Sequence, residues 1–215
     1  MYKIYFSYLL GQNVLKEKMG GGNTNNINIS KFSKLRKNKI KVSGNNNVLY
    51  VEEGTLIRNC NILIKGNNNK LHIGKNCVIE NSQIILDNEN GEIVIGKGTS
   101  VGKLLLVSLE PYKITIGENC MISYDTEIRN TDSHMIYDLE TRKRINYGKA
   151  VKIGNNVWVG ARVIILKGVE VGDNSIIATG SIVNKNIKLN TIAAGIPAKE
   201  VKNKIYWTRE EVMKR

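Results

Sequence analysis

Histidine and proline are nearly absent from this chain: His72, His134, Pro111 and Pro197 are all it has in 215 residues. So few histidines leave few candidates for acid–base work near neutral pH, and two cannot supply a three-histidine zinc site. Cysteine is scarce too. Cys60, Cys77 and Cys120 are odd in number and lack C-x-x-C spacing, which argues against a disulfide framework or a cysteine zinc site. Cys77 and Cys120 each follow I-G-x-N, so both are expected at equivalent buried corners, where a small apolar side chain packs well. Aromatics are only 6% of the chain and do not interleave with the basic residues, unlike a nucleic-acid surface that stacks bases on rings. Long apolar runs are missing. The N-terminal MYKIYFSYLLGQNVLKEKM is apolar only to Leu10, too short for a membrane span and without a small-residue cleavage site. The expectation is a cytoplasmic protein whose residues 1–24 form a short element and a linker through Gly20–Gly22 and the asparagines that follow.

Acidic residues are also in short supply, 19 against 32 Lys and Arg, a formal net charge of +13. That balance favours anionic partners such as an acidic polymer or the phosphates of a ligand, although a solvated basic surface accounts for it equally well.

What the chain does have is a six-residue period. From residue 153 it reads IGNNVW, VGARVI, ILKGVE, VGDNSI, IATGSI, VNKNIK, with an aliphatic at 153, 159, 165, 171, 177 and 183. The position four later holds Val157, Val163, Val169, Ser175, Ser181 and Ile187, mostly small or β-branched. A helix would sweep these aliphatics around its axis. A parallel β-helix keeps them inward, with corners that glycine and asparagine turn at low cost, and stacking the coils buries a continuous apolar column. The frame recurs more loosely at Ile73, Ile95 and Ile116 and fades towards SGNNNVLYV. The predicted organisation is an all-β solenoid over residues 25–195 and a helix over 196–215 that covers the last strand edge. The period breaks between 133 and 150, where HMIYDLETRKRINYGKA is polar and unpatterned. A loop of that length inside a solenoid is more often functional than not, and His134 stands at its start.

The run VKIGNNVWVGARVIILKGVEVGDNSIIATGSIV with the ending IAAGIPAKEV resembles the hallmark segment of the galactoside, maltose and xenobiotic acetyltransferases. The stretch EIRNTDSHMIYD…RINYGKAVKIGNNVWVG is most similar to the O-acetyltransferases of sialic-acid capsular polysaccharides. The resemblance extends over about residues 115–205. It implies a left-handed β-helix, acetyl-CoA as donor, no metal, a glycan acceptor and a homotrimer with active sites between subunits. His134 matches the family's catalytic histidine, the base that takes a hydroxyl proton as the oxygen attacks a thioester. Trp158 is implied as the second catalytic residue. Gly160, Ala161, Thr179 and Gly180 would lie along the pantetheine, with Asn184, Lys185, Lys199 and Lys202 near the nucleotide end. Asp132 could orient the imidazole or cap the turn. Asn130 and Arg129 could bond between coils or meet the acceptor. Arg142, Lys143 and Arg144 form a basic cluster that would attract a carboxylated polymer or simply be solvated. His72 is expected to face outward with no role. The expected reaction is acetyl transfer to a sugar hydroxyl of an acidic capsular polysaccharide; N-acetylation of an amino sugar, or a small acceptor, stays open.

Overall fold

The computed structural model describes residues 24–210. Within them the chain winds through three sheets in rotation as far as Ile182–Val183. The first sheet begins with Asn26–Ile29 and Val48–Val51 and ends with Val151–Ile153 and Glu170–Val171; the second begins with Lys34–Arg36 and includes Trp158–Val159; the third begins with Lys39–Ser43 and includes Thr126–Arg129 and Ile164–Ile165. The sheets hold seven, nine and seven strands. All neighbours pair in parallel apart from the final pair of the second sheet. This is a parallel β-solenoid of about seven turns, the predicted architecture.

The aliphatic period points inward as expected. Ile153, Val159, Ile165, Val171, Ile177 and Val183 are all at most 1% exposed, and so are Val157, Val163, Val169, Ser175 and Ser181. Each fully buried aliphatic contributes about 1.5–3 kcal/mol of transfer free energy. The cysteines act as corner residues. Cys77 and Cys120 are completely buried, and each thiol donates to the carbonyl of a glycine one coil on, Gly96 or Gly154, at 3.1 Å. Thr55 and Thr99 make the same bond in the intervening coils, at 2.8 Å. Burial pushes the Cys120 thiol up to about 11, so it stays protonated and inert.

The early coils are longer than the hexapeptide rule allows, which is why the period fades there. Val48 stands on Asn26 and Lys70 on Val48, a rise of 22 residues per turn, whereas Glu170 stands on Lys152, a rise of 18. The surplus goes into longer strands of the third and first sheets, such as Lys39–Ser43 and Val48–Val51 against Ile164–Ile165 and Glu170–Val171, which flank the corners at Gly44–Asn47 and Gly66–Asn69. Asn47 is fully buried there; its Nδ2 donates to Ser43 and Gly66 carbonyls and its Oδ1 accepts the Asn69 N–H at 2.9 Å. Asn69 repeats the pattern onto Lys65, Asn88 and Gly91. These amides bond the carbonyls and N–H groups of a wide corner that would otherwise be buried without partners. The asparagines expected to continue the linker belong to this ladder: Asn25 accepts the Asn47 N–H, and Asn26 opens the first strand. Gly20–Gly22 lie outside the described residues.

The predicted C-terminal helix is not formed over the described residues. Ala198–Asn203 is a strand, antiparallel to Thr191–Gly195. The mixed charges of AKEVKN suit a helix, but the open edge of the last coil offers a full row of backbone partners, and Gly195 at φ +104° turns the chain back onto it. Residues 211–215 lie outside the described region. No helix among the described residues is long and apolar enough to cross a membrane.

Candidate active site

The break in the period is a finger rising from the corner between the third and first sheets. Its two arms pair at Tyr137 and Arg144. The tip is a tight turn in which Asp138 accepts from the N–H groups of Glu140 and Thr141 and from the Thr141 hydroxyl. The base is bound from below by Glu110, whose carboxylate accepts from Arg144 at 2.7 Å, the Gly148 N–H at 3.0 Å and Thr131 at 3.1 Å. Burial works against the Glu110 charge, but these three donors hold its pKa below the ordinary carboxylate value.

His134 is exposed at the start of the finger, and among the described residues its ring has no hydrogen-bond partner. Its backbone is held firmly. The His134 N–H donates to the Asp132 carbonyl at 2.8 Å, and the buried Asn146 donates through Nδ2 to the His134 carbonyl at 2.8 Å and the Asp132 carboxylate at 2.9 Å. Asn146 also accepts the Ile136 N–H at 2.7 Å. Sequence reasoning missed Asn146 because a lone asparagine in an unpatterned loop carries no signal.

Asp132 takes neither role anticipated for it. Its carboxylate pairs with Lys167, one coil on, and with Asn146, leaving the imidazole without a carboxylate partner. Burial raises the Asp132 pKa, and the bonds from Lys167 and Asn146 with the Lys167 charge more than offset it, so the net shift is downward. Lys167 was hidden inside the repeat ILKGVE. Asn130 is a correction of the acceptor-contact reading. It is fully buried, and its amide is spent on Ser108, Glu110, Tyr112 and the Leu109 N–H, an inter-coil bond set. Arg129 pairs with Glu127. The basic cluster divides: Arg144 is tied to Glu110 and lies over the Tyr147 ring at 4.8 Å, whereas Arg142 and Lys143 are exposed. His72 faces outward, bonded to Glu52 at 2.8 Å and tilted against the Tyr50 ring at 5.1 Å.

Trp158 stands on the outer face of the second sheet, in register with Met121 and Ile176, and is 38% exposed. Gly160, Ala161, Thr179 and Gly180 follow at the corner between the second and third sheets, stacked on one another through the Gly180 N–H to Ala161 carbonyl bond of 2.9 Å. Gly160 is a packing glycine. A Cβ there would sit 2.7 Å from the Thr179 nitrogen, and its N–H already donates to Ile177. The Ala161 N–H has no partner among the described residues, and a side chain at Gly180 would meet nothing within 4 Å. Exposed Lys199 and Lys202 extend the same sheet, while exposed Asn184 and Lys185 turn the last coil at the finger's corner. One chain therefore gathers Trp158, Gly160, Ala161, Thr179 and Gly180 along one edge and puts His134 at a different one.

A family model described as bacterial transferase hexapeptide (six repeats) matches residues 150–185. The crystal structure of the polySia-specific acetyltransferase NeuO superposes with a TM-score of 0.79 at 36% identity, covering 91% of this chain and 88% of that one. The chain belongs to the hexapeptide-repeat acetyltransferases. A second member of the family, the polysialic acid O-acetyltransferase OatWY, superposes at 0.69 with 37% identity over 89% and 90% of the two chains. By sequence, the polysialic acid O-acetyltransferase of Escherichia coli O1:K1 is 39% identical over 113 residues, 53% of this chain and 37% of the relative. That of Neisseria meningitidis is 53% identical over 70 residues, 33% of each. The chain thus matches about a third of the length of these two curated relatives.

Within this hexapeptide-repeat acetyltransferase, replacing Trp158 by alanine is expected to lower turnover about tenfold or more and to leave the denaturation midpoint nearly unchanged. The indole lies outside the coil, so its loss opens no core cavity. Activity assays beside urea titration check this; a large stability loss with normal specific activity in the folded fraction would contradict it.

Proposed function

We propose that this protein transfers an acetyl group from acetyl-CoA to a hydroxyl of an acidic, sialic-acid-containing capsular polysaccharide, in the cytoplasm. The observation that carries the reading is His134, exposed and without a ring partner among the described residues, on a finger whose backbone is fixed by Asn146 and Asp132. Such a ring is free to meet a substrate hydroxyl in a set orientation. It takes the proton as the oxygen attacks the thioester carbonyl, and returns it to the departing sulfur. The open Ala161 N–H is the donor available to the oxyanion, since the Gly160 N–H is already used. The space at Gly180 admits a pantetheine arm, and Lys199, Lys202, Lys185 and Asn184 supply charge and donors for phosphates. Arg142 and Lys143 offer charge to a carboxylated acceptor. The name polysialic acid O-acetyltransferase, borne by both sequence relatives, supports the choice of acceptor.

We further propose a site shared between copies in a homotrimer. Its support is the separation of His134 from the Trp158 edge within one chain, together with half-exposed apolar residues in register outside the second and third sheets. Val78, Met121 and Ile176 line the one, and Leu63 and Ile85 the other, with Ile164 two positions aside. The first sheet turns out a more polar column of Tyr50, His72, Val94, Thr115, Lys152 and Glu170. Apolar patches of this kind mark interfaces.

Two experiments test these readings. Acidic and neutral glycans incubated with acetyl-CoA should release free thiol fastest with a polysialic polymer, and less so as salt rises at saturating acetyl-CoA, because exposed charges are screened over about 8 Å. A neutral glycan or an amino sugar preferred at every salt concentration contradicts the acceptor. Co-expression of His134→Ala and Trp158→Ala chains should recover activity at about one site in three of each mixed trimer. Mixed oligomers without recovery place both residues in one chain's site.

A further inference from the structure

Beyond its last strand the chain does not leave the solenoid. Residues 204–210 run back along the corner between the first and second sheets, over coils already laid down. The Ile205 N–H donates to the Asn190 carbonyl at 3.0 Å. The Trp207 Nε1–H donates to the Asn156 carbonyl at 2.7 Å. Arg209 donates to the Cys120 and Asn119 carbonyls at 2.6 and 3.3 Å, to the Gly98 carbonyl at 3.2 Å and to the Ser100 hydroxyl at 2.9 Å. Gly98, Asn119, Asn156 and Asn190 are positive-φ residues that turn coils at this corner, as Asn174 does between the last two. Their N–H groups donate to the preceding coil, and the strap engages their carbonyls from outside.

Sealing the last strand edge does not explain this segment, since Ala198–Asn203 already covers that edge. The strap's one buried side chain, Trp207, is 8% exposed, and its ring centre lies 5.9 Å from that of Trp158 at an interplanar angle of 47°. Such tilted ring pairs are favourable beyond their buried area. On the open face of its strand, Trp158 has Met121 and Ile176 as its register neighbours, neither of them a rigid wall. With its N–H spent on Asn156, Trp207 presents an indole fixed in both position and angle.

We propose that Trp207 is a positioning residue, held by the strap of residues 205–209, that sets the rotamer of Trp158 for acetyl transfer. This rests on the reading of Trp158 as part of the transfer site. Trp207 touches no reacting atom in this scheme; it acts through the Trp158 indole, so its effect exists only while Trp158 is present.

The test is a double-mutant cycle on the full-length protein, with kcat, both KM values and the thermal midpoint measured for Trp158→Ala, Trp207→Ala and the pair. Trp207→Ala should lower kcat about fivefold, the scale of one lost ring contact, with the acceptor KM unchanged. Added to Trp158→Ala it should lower kcat no further. Trp207→Phe, which keeps a ring against Trp158 but not the bond to Asn156, should regain most of the loss even if the midpoint stays low, which separates positioning from stability. Because the chain has only two tryptophans, the native protein should also show an exciton couplet in its far-ultraviolet circular dichroism. Losses that multiply, a Trp207→Ala enzyme with normal kcat, or a native spectrum without the couplet would each overturn the proposal while leaving the transfer site intact. A Trp158→Ala enzyme with unchanged kcat would overturn the site reading and this proposal with it.

Discussion

Replacing His134 by alanine is expected to lower kcat by about 10²–10⁴, the usual contribution of a positioned general base, with little change in either KM. The ring makes no bond to the described residues and is exposed, so its removal breaks nothing that holds the finger. The Asn146 bond to the His134 carbonyl and the His134 N–H bond to Asp132 are both backbone contacts on the histidine side, and alanine keeps them. The thermal midpoint should therefore match that of the native protein. Equal loss of kcat and kcat/KM is the mark of an interaction made only in the transition state. A variant with native kcat would remove the base from His134. As His72 is committed to Glu52 and Tyr50, it would also leave the chain without another histidine to take over.

The largest expected effect on stability belongs to Gly66→Ala. Gly66 sits at φ +97°, and a Cβ there would lie 1.7 Å from the Asn88 carbonyl oxygen of the next coil. The clash is with backbone, so relief requires two coils to part. That would strip the Asn69 Nδ2 to Asn88 carbonyl bond of 3.0 Å from the buried ladder. A strained backbone, an overlap and an orphaned buried amide together put the cost on the order of 4–5 kcal/mol. Gly180→Ala is the control: φ is +74° but nothing lies within 4 Å, so only the left-handed backbone costs, about 1–2 kcal/mol. Urea titrations of the two variants should show a far larger drop in midpoint for Gly66→Ala. Equal drops would mean that backbone conformation outweighs coil contact.

The C-terminal coils were readable because each residue there has a single task. An aliphatic every six positions from Ile153 to Val183 can satisfy only a narrow triangular coil, and all six proved buried. The N-terminal coils obey the same alternation, but their longer strands stretch the turn beyond the six-residue frame, and the asparagines at their corners look like linker when the bonds between coils are unseen. The helix expected after Pro197 failed for a related reason: propensity in AKEVKN is local, whereas the free edge of Thr191–Gly195 that captures it is a tertiary fact.

By itself the sequence determined the period, hence the solenoid and its inward column, and it singled out His134 by where the period breaks, whereas Trp158 stood out only through the family resemblance. Only the tertiary structure decided which polar groups meet. Asp132 pairs with Lys167, 35 positions away, Arg144 with Glu110, 34 away, and Trp207 with Asn156, 51 away. Hydrophobic burial repeats along a chain and leaves a pattern in it. A hydrogen bond needs two particular atoms at a particular separation, and nothing in the spacing of residues marks which two the coils will bring together.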